Sequence, residues 1–268
     1  MRKYVLAVLG FLVVGYLCRT QTHGFTRSKI DASTYLNSQP SINSTVPFLH
    51  QTFRFLGSGV QTYSFLSEDG KTVLKFIKQS RRKPLPWLST LWLPPFLDSL
   101  REDYLEKRRR NLQNLIQSFH IASTTLAEDT GVFYVHLQKN DAFEGKYVTL
   151  IDNLGIAHKI SLDQTLFALQ EKIEQPRDLS AAQIQLLIDR TFRQCQKKIA
   201  NLDPLVRNFG FKDGKALCLD IGSFRFQEKQ SHKEEFFIEL LPLRDIICKE
   251  YPHLLDTFDD KVKKILRS

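Results

Sequence analysis

The fold of this chain is decided by the stretch Ile199-Ala-Asn-Leu-Asp-Pro-Leu-Val-Arg-Asn-Phe-Gly-Phe-Lys-Asp-Gly-Lys-Ala-Leu-Cys-Leu-Asp-Ile-Gly222. Its apolar runs 208–211 and 215–219 predict two short strands, joined by a Lys-Asp-Gly turn that is typical of a β-hairpin. Because a hairpin brings its two ends together, we expect Asn208 and Asp220 to lie side by side, with Asp203 close by. Such oxygen ligands can bind Mg²⁺, and the bound ion can in turn bind phosphate. The structural alternative is an Asp-Pro turn, a strand-end Asn and a capping Asp.

Composition limits the class of protein. The 268 residues are 42% hydrophobic and include 20 Phe but one Met, which predicts a sizeable core packed on aromatic rings. Lys and Arg outnumber Asp and Glu by 38 to 29, so the formal charge of +9 favours anionic partners. The four cysteines form no Cys-x-x-Cys pair or Cys/His ligand spacing, which argues against a zinc site.

The N-terminus resembles a targeting segment. Residues 1–18 begin Met-Arg-Lys and continue without a charge, as in a signal peptide or anchor. No small-x-small cleavage site follows, so we expect an uncleaved signal anchor with a single membrane span. A cleaved signal peptide with secretion, or a buried soluble helix, are the alternatives. Residues 19–50 are polar and predict a linker.

Compact structure is expected from residue 51. Three short strands are predicted near residues 53–56, 60–66 and 71–78, with Gly57 and Gly59 in the first turn and Lys75 in the middle of the third strand. Exposure to solvent is the simplest interpretation of a lysine in such a strand. Two further strands, 131–137 and 146–151, complete a predicted sheet of about five.

Residues 79–98 form a predicted insertion that combines basic residues, prolines and both tryptophans, Trp87 and Trp92. Because Trp prefers interfaces, the segment could contact a protein partner or a membrane surface. The simpler interpretation is that the segment packs on its own lobe as an irregular connector.

A helix is predicted from Asp98 to about Ala122, because apolar residues recur at helical spacing between Leu105 and Phe119. Its Lys-Arg run, 107–110, has no interleaved aromatic residues, so no nucleic-acid partner is expected. Further helices are predicted for residues 161–174 and 180–200, each opened by a capping-box pattern, and near residues 243–251 and 254–266.

The order of these features resembles the protein-kinase-like superfamily, in which a small sheet lobe and a helical lobe clamp ATP. The resemblance covers residues 52–225 and rests on order and spacing: a glycine turn, a strand with Lys, a helix with Glu, two strands, a helix, Asp-x₄-Asn, a hairpin and Asp-x-Gly. It implies an α+β, bilobal fold with a five-stranded antiparallel N-lobe at 51–152 and a reduced helical C-lobe at 153–268.

The resemblance also implies roles for individual residues. Gly57 and Gly59 match the phosphate-covering loop, and Lys75 matches the strand lysine that holds the ATP phosphates. Either Glu102 or Glu106 would pair with this lysine. By the same resemblance, the catalytic base and the two Mg²⁺ ligands would be Asp203, Asn208 and Asp220, respectively.

The sequence departs from the family pattern in four places. Thr62 replaces the third glycine of the loop, Asn201-Leu202 replaces the usual His or Tyr and Arg, and Leu205 stands where protein kinases carry a lysine. No Ala-Pro-Glu motif follows Gly222. These departures argue against a peptide substrate and are compatible with a membrane-tethered atypical kinase that uses Mg-ATP and another hydroxyl acceptor. A non-catalytic, pseudokinase-like binding or scaffold module, and an unrelated α+β protein, are the alternatives.

Overall fold

The computed structural model describes residues 2–32, 47–79, 92, 94–138, 141–227 and 230–267. Contacts between residues divide the chain into two units. The first unit comprises Met1–Asn111 and Tyr134–Lys172, and the second comprises Leu112–Phe133 and Ile173–Ser268. The sequence placed this boundary at residue 152, whereas the structure keeps the chain as far as Lys172 in the first unit.

The first unit contains a seven-stranded sheet, in the order β4-β7-β3-β2-β1-β5-β6. Its strands are β1 Thr52–Ser58, β2 Thr62–Ser67, β3 Thr72–Ile77, β4 Val132–His136, β5 Tyr147–Ile151, β6 Ala157–Ser161 and β7 Phe167–Glu171. The predicted α+β class is confirmed, but the prediction of five antiparallel strands is wrong. The sheet has seven strands, and β5 pairs with β1 in parallel.

The predicted helix over residues 161–174 is also wrong, because this segment ends β6 and forms β7. Strand β7 lies between β3 and β4, and its residues Phe167 to Gln170 are all buried. A central strand buried on both faces has a continuous apolar run, which periodicity alone cannot separate from a buried helix. The Asp163 carboxylate accepts the backbone N–H groups of Phe143 and Gly145 at 2.8 Å each.

An aromatic core covers one face of this sheet, as the composition predicts. Phe53, Phe65 and Phe76 are fully buried, and Phe25 meets the ring of Phe65 edge-on at 5.2 Å. Phe25 and Ile30, which are buried in the same core, lie in the predicted linker. Within the predicted linker, these apolar residues of a polar stretch therefore pack on the sheet. Residues 33–46 lie outside the described part of the chain.

Helix α1, Arg2–Gln21, occupies the predicted signal anchor. Among the described residues, no helix combines the length and the apolar character needed to cross a membrane. The signal anchor stays a prediction. In the predicted insertion, Trp87 lies outside the described residues and Trp92 is exposed.

Helix α2, Pro95–Ser123, confirms the helix predicted from its apolar stripe, and the five residues of that stripe are buried: Leu105, Leu112, Leu115, Ile116 and Phe119. The second unit also contains helices α3 Ala127–Thr130, α4 Ala181–Gln196, α5 His232–Glu250 and α6 Leu255–Arg267. Two ribbons complete it, one pairing β8 Ile199–Asn201 with β11 Phe224–Phe226, the other pairing β9 Phe209–Lys212 with β10 Lys215–Cys218. The predicted capping box at Ser180 is present at the start of α4.

Candidate active site

The β9–β10 hairpin places Asn208 next to the start of the Asp220 segment. Asp213 and Gly214 both have positive φ, as the predicted two-residue turn requires. The strands then run in register from Lys212↔Lys215 to Phe209↔Cys218. One step further, the Leu219 backbone N–H donates to the Asn208 backbone oxygen at 2.7 Å. The hairpin therefore brings Asn208 and Asp220 to the same open end, as the sequence predicts.

Asn208 is also tied to Asp203. Its Nδ2 donates to the Asp203 backbone oxygen and to Asp203 Oδ2, at 2.9 Å each. The short helical turn Val206–Asn208 makes this possible, because it folds the chain between the two residues. Since the amide nitrogen is used, Oδ1 of Asn208 is the atom that can bind a cation. All three predicted polar residues of the second unit thus lie at one end of the hairpin.

These residues fit a magnesium ion by their chemistry. Asp220 accepts the Gly222 backbone N–H through Oδ1 at 3.0 Å, which leaves Oδ2 for a ligand. Mg²⁺ prefers oxygen ligands and in phosphate-transfer sites uses one or two carboxylates together with substrate phosphates and water. The described residues contain no group of three or more His, Cys, Asp or Glu side chains suited to a metal. An ion here would therefore depend on the Asn208 amide, the Asp220 carboxylate and oxygens of the substrate.

Asn201 holds the Asp203 loop against the Asp220 segment, and sequence reasoning missed this role. Its Oδ1 accepts the Asp203 backbone N–H at 3.1 Å and the Ser223 hydroxyl at 2.7 Å. The ribbon of β8 and β11 adds a backbone bond from Leu202 N–H to the Ser223 oxygen at 3.0 Å. The sequence shows Asn201 only as a departure from the kinase pattern. The available signal was a polar residue that ends an apolar strand.

Asn201 is hydrogen-bonded to a buried polar layer that consists of Glu239, Gln194 and Arg190. The Asn201 backbone N–H donates to Glu239 Oε1 at 2.6 Å, and Gln194 Nε2 donates to both Glu239 oxygens. Arg190 donates to Gln194 Oε1 at 2.8 Å, and its guanidinium lies 5.1 Å from the centre of the Phe209 ring. Burial raises the pKa of Glu239 to about 8, against the opposing effects of the Asn201 hydrogen bond and of Arg190.

Helix α2 fixes the Asp-Ile-Gly segment from another side. The Ser118 hydroxyl donates to the Ile221 backbone oxygen at 2.8 Å and accepts the Phe224 backbone N–H at 2.7 Å. Ser118 is buried, so both bonds are shielded from water. The segment that carries Asp220 is therefore held on both of its sides.

In the first unit, Lys75 lies in β3 opposite Ser64 of β2 and Ala168 of β7. Side chains alternate between the two faces of a sheet, so Lys75 lies on the face opposite to Phe76 and the aromatic core. Its cross-strand neighbours are both small, and its side chain is partly exposed. Lys75 is thus on a strand, as predicted, and on the face away from the core.

The predicted glycine turn is present between β1 and β2. The pairing of these strands shifts register between Phe55 and Gly57, and the Gly59 backbone N–H donates to the Thr62 oxygen at 3.0 Å. The lysine that holds this turn is Lys78, which sequence reasoning missed. Its Nζ donates to the Ser58 hydroxyl at 2.7 Å and to the Gly59 backbone oxygen.

The two candidate glutamates are exposed on α2. Glu106 pairs with Arg110 at 2.7 Å, and Glu102 lies 3.5 Å from Arg101. Both pairs lie within the helix itself, so these contacts favour neither glutamate as the partner of Lys75.

Two solved structures that are similar to this chain at a low level are described as kinases. One is amicoumacin kinase hAmiN in complex with AMP-PNP, Ca²⁺ and Ami, with 11% identity and a TM-score of 0.42, covering 81% of this chain and 73% of that one. The other is a Legionella pneumophila kinase bound to IP6, with 11% identity and a TM-score of 0.35, covering 72% of this chain and 58% of that one. Similarity at this level assigns neither activity nor ligand. No protein-family model and no curated protein matches the chain.

Proposed function

We propose that this chain is an atypical kinase that binds Mg-ATP and transfers a phosphoryl group to a hydroxyl acceptor. The observation that carries the proposal is the pair of hydrogen bonds from the Asn208 amide to Asp203 at the open end of the hairpin. They orient a candidate base and a candidate metal ligand together, and the Leu219–Asn208 backbone bond adds the start of the Asp220 segment.

The three residues divide the work as follows. Asp203 Oδ2 is engaged by Asn208, so Oδ1 accepts the proton of the acceptor hydroxyl as its oxygen bonds to the γ-phosphorus and ADP leaves. Asn208 and Asp220 would supply the oxygens that hold Mg²⁺, and the ion would neutralise phosphate charge. Gly57, Gly59 and Lys75 are proposed to contact the phosphates, and Glu102 or Glu106 to orient Lys75. Helix α1 is proposed as the membrane anchor, with a cleaved signal peptide as the alternative.

A pseudokinase is the second candidate. Leu202, which directly precedes Asp203, is 56% exposed, and Asn201 beside it is buried. Residues that assist catalysis in kinases are therefore replaced by an apolar and a structural side chain. Such a protein would bind nucleotide without transferring phosphate.

The test combines nucleotide binding with turnover in the full chain. With Mg-ATP we expect a rise in melting temperature and formation of ADP. Asp203→Asn should keep the rise in melting temperature and lower turnover by about 10²- to 10⁴-fold, because it removes the base without removing the metal ligands. Asp213→Asn, at the exposed opposite end of the same hairpin, is the control and should change neither. Binding without turnover would identify a pseudokinase, and no rise in melting temperature would contradict both candidates.

A further inference from the structure

The first unit contains a second candidate site, a cavity of about 500 Å³. It lies where the last turn of α1 meets the glycine turn, and its volume is typical of small-molecule sites. The lining residues that could bind a ligand are polar or cationic, and they are Arg19, His23, Lys29, Ser58, Tyr63 and Lys78.

The charge of this cavity is one-sided. Arg19, Lys29 and Lys78 each bring a positive charge, and none of the described residues that line the cavity is acidic. Like charges in one partly enclosed space repel one another. An anion bound among them would offset this repulsion, because each cation attracts it.

Backbone oxygens hold the two lysines in place. Lys29 Nζ and the Tyr63 hydroxyl both donate to the Gly24 oxygen, and Lys78 donates to the Gly59 oxygen. Lys78 also lies 4.1 Å from the centre of the Tyr63 ring. Because these donors are positioned before any ligand arrives, binding would require little ordering of side chains.

The C-terminal end of a helix normally repels anions through its unpaired carbonyl groups. At the end of α1 these groups are paired. The Arg19 oxygen accepts the Gly24 N–H at 2.9 Å, and the Cys18 and Thr20 oxygens accept backbone N–H groups of Thr22 and His23. Since these carbonyl groups are paired, their partial negative charge is offset where it would face the ligand.

This cavity is separate from the face of the sheet that carries Lys75. Tyr63 pairs with Phe76 across β2 and β3, so both lie on the core face. Lys78 lies over the Tyr63 ring on that side, whereas Lys75 lies on the opposite face by alternation. The cavity therefore lies on the other face of the sheet from Lys75, although Ser58 and Gly59 of the glycine turn line it.

We propose that this cavity binds an anion that carries several phosphate charges, either a free polyphosphate or the phosphorylated headgroup of a lipid. The two sources share one chemistry, which is recognition of clustered phosphate oxygens by an arginine, two lysines and hydroxyl groups. The position beside the end of α1 is compatible with either ligand. A competition experiment between a polyphosphate and a phospholipid distinguishes them.

Tripolyphosphate is the probe, and its affinity for the full chain can be measured by calorimetry without magnesium. Arg19→Gln and Lys78→Gln should each weaken binding about tenfold or more, since each removes a charge-assisted contact. Arg19 is exposed, so its replacement also guards against loss of the fold. Lys159→Gln, an exposed lysine of the same sheet, should leave the affinity within about twofold.

Displacement of tripolyphosphate by a short-chain phosphoinositide, but not by short-chain phosphatidylcholine, would identify the lipid headgroup. Absence of displacement by either would identify the free anion. Equal weakening by Arg19→Gln and Lys159→Gln would overturn the proposal, because it would indicate attraction by diffuse charge. Loss of tripolyphosphate binding in Lys75→Gln would also overturn it, by placing the anion at the proposed nucleotide site. The measured affinity for tripolyphosphate does not depend on whether the chain transfers phosphate, so this test is independent of the proposed kinase activity.

Discussion

The two units hold their candidate site residues in different ways. In the second unit, Asp203, Asn208 and the Asp220 segment are linked by hydrogen bonds to one another and, through Asn201, to a buried polar layer. In the first unit, the Lys78 side chain holds the glycine turn, and a Cβ at Gly57 would meet nothing within 4 Å. The candidate site residues of the second unit are therefore held by a hydrogen-bond network, whereas the glycine turn has open space at Gly57.

The units also bury titratable groups of opposite chemistry. The second unit buries Glu239, and burial raises the pKa of this carboxyl to about 8. The first unit buries His136 among the rings of Phe143 and Phe167, and burial lowers the pKa of this imidazole to about 4, with the Asp163 carboxylate opposing the shift. Both groups are therefore kept neutral by the fold, and the two units should respond to pH in opposite directions.

The largest expected effect is the loss of stability at high pH through Glu239. A carboxyl whose pKa is higher in the folded state keeps its proton there, so its contribution is fully present below pH 4.5 and lost as pH rises towards about 8. Over this range, the free energy of unfolding of the wild type should fall by about 5 kcal/mol relative to Glu239→Gln. Denaturant titrations at several pH values measure this difference. Glu250→Gln, an exposed residue of α5, is the control, and parallel curves for wild type and Glu239→Gln would refute the role of Glu239.

The first unit should lose stability in acid through His136. Because the pKa of this imidazole is lower in the folded state, its contribution is present above pH 6.5 and lost as pH falls towards about 4. His136→Leu should therefore reduce the acid sensitivity of unfolding by about 3 kcal/mol, measured by the same titrations. His50→Leu, at an exposed histidine of the same unit, should leave the acid sensitivity unchanged. An unchanged acid sensitivity in His136→Leu would mean that this ring is not kept neutral by burial.

A pair of glycine substitutions tests the difference in packing. A Cβ added at Gly210 would lie 2.6 Å from the Glu174 backbone oxygen, because β9 approaches this segment closely. Gly210→Ala should therefore cost about 1–3 kcal/mol in the free energy of unfolding. A Cβ at Gly57 meets nothing within 4 Å, so Gly57→Ala should change it by about 0.5 kcal/mol or less. Equal costs at the two positions would contradict the contrast between a fixed hairpin and an open turn.

The features that local chemistry determines were predictable from the sequence. The Asp213-Gly214 turn fixes the hairpin and hence the neighbourhood of Asn208 and Asp220. The apolar stripe of α2 and the capping box of α4 likewise depend on residues close in the chain.

The features that sequence reasoning missed depend on contacts between distant residues. Residues 167–171 form strand β7 because β3 and β4 pair with them on either side. The amino-acid sequence of this segment is also compatible with a helix. Asn201 acts through Ser223 and Glu239, and Lys78 acts through the glycine turn. In each case the partner lies about 20 residues or more away, beyond the reach of local patterns.

The most direct test of the account is the magnesium-dependent affinity of the full chain for ATP, measured by calorimetry in Asp220→Asn and Asp213→Asn. The two substitutions make the same chemical change at opposite ends of one hairpin. If Asn208 and Asp220 hold the metal, Asp220→Asn should weaken magnesium-dependent binding by about tenfold or more, while Asp213→Asn matches the wild type. Equal affinity in both variants, or binding of ATP that does not depend on magnesium, would contradict the assignment of the hairpin end as the nucleotide-metal site.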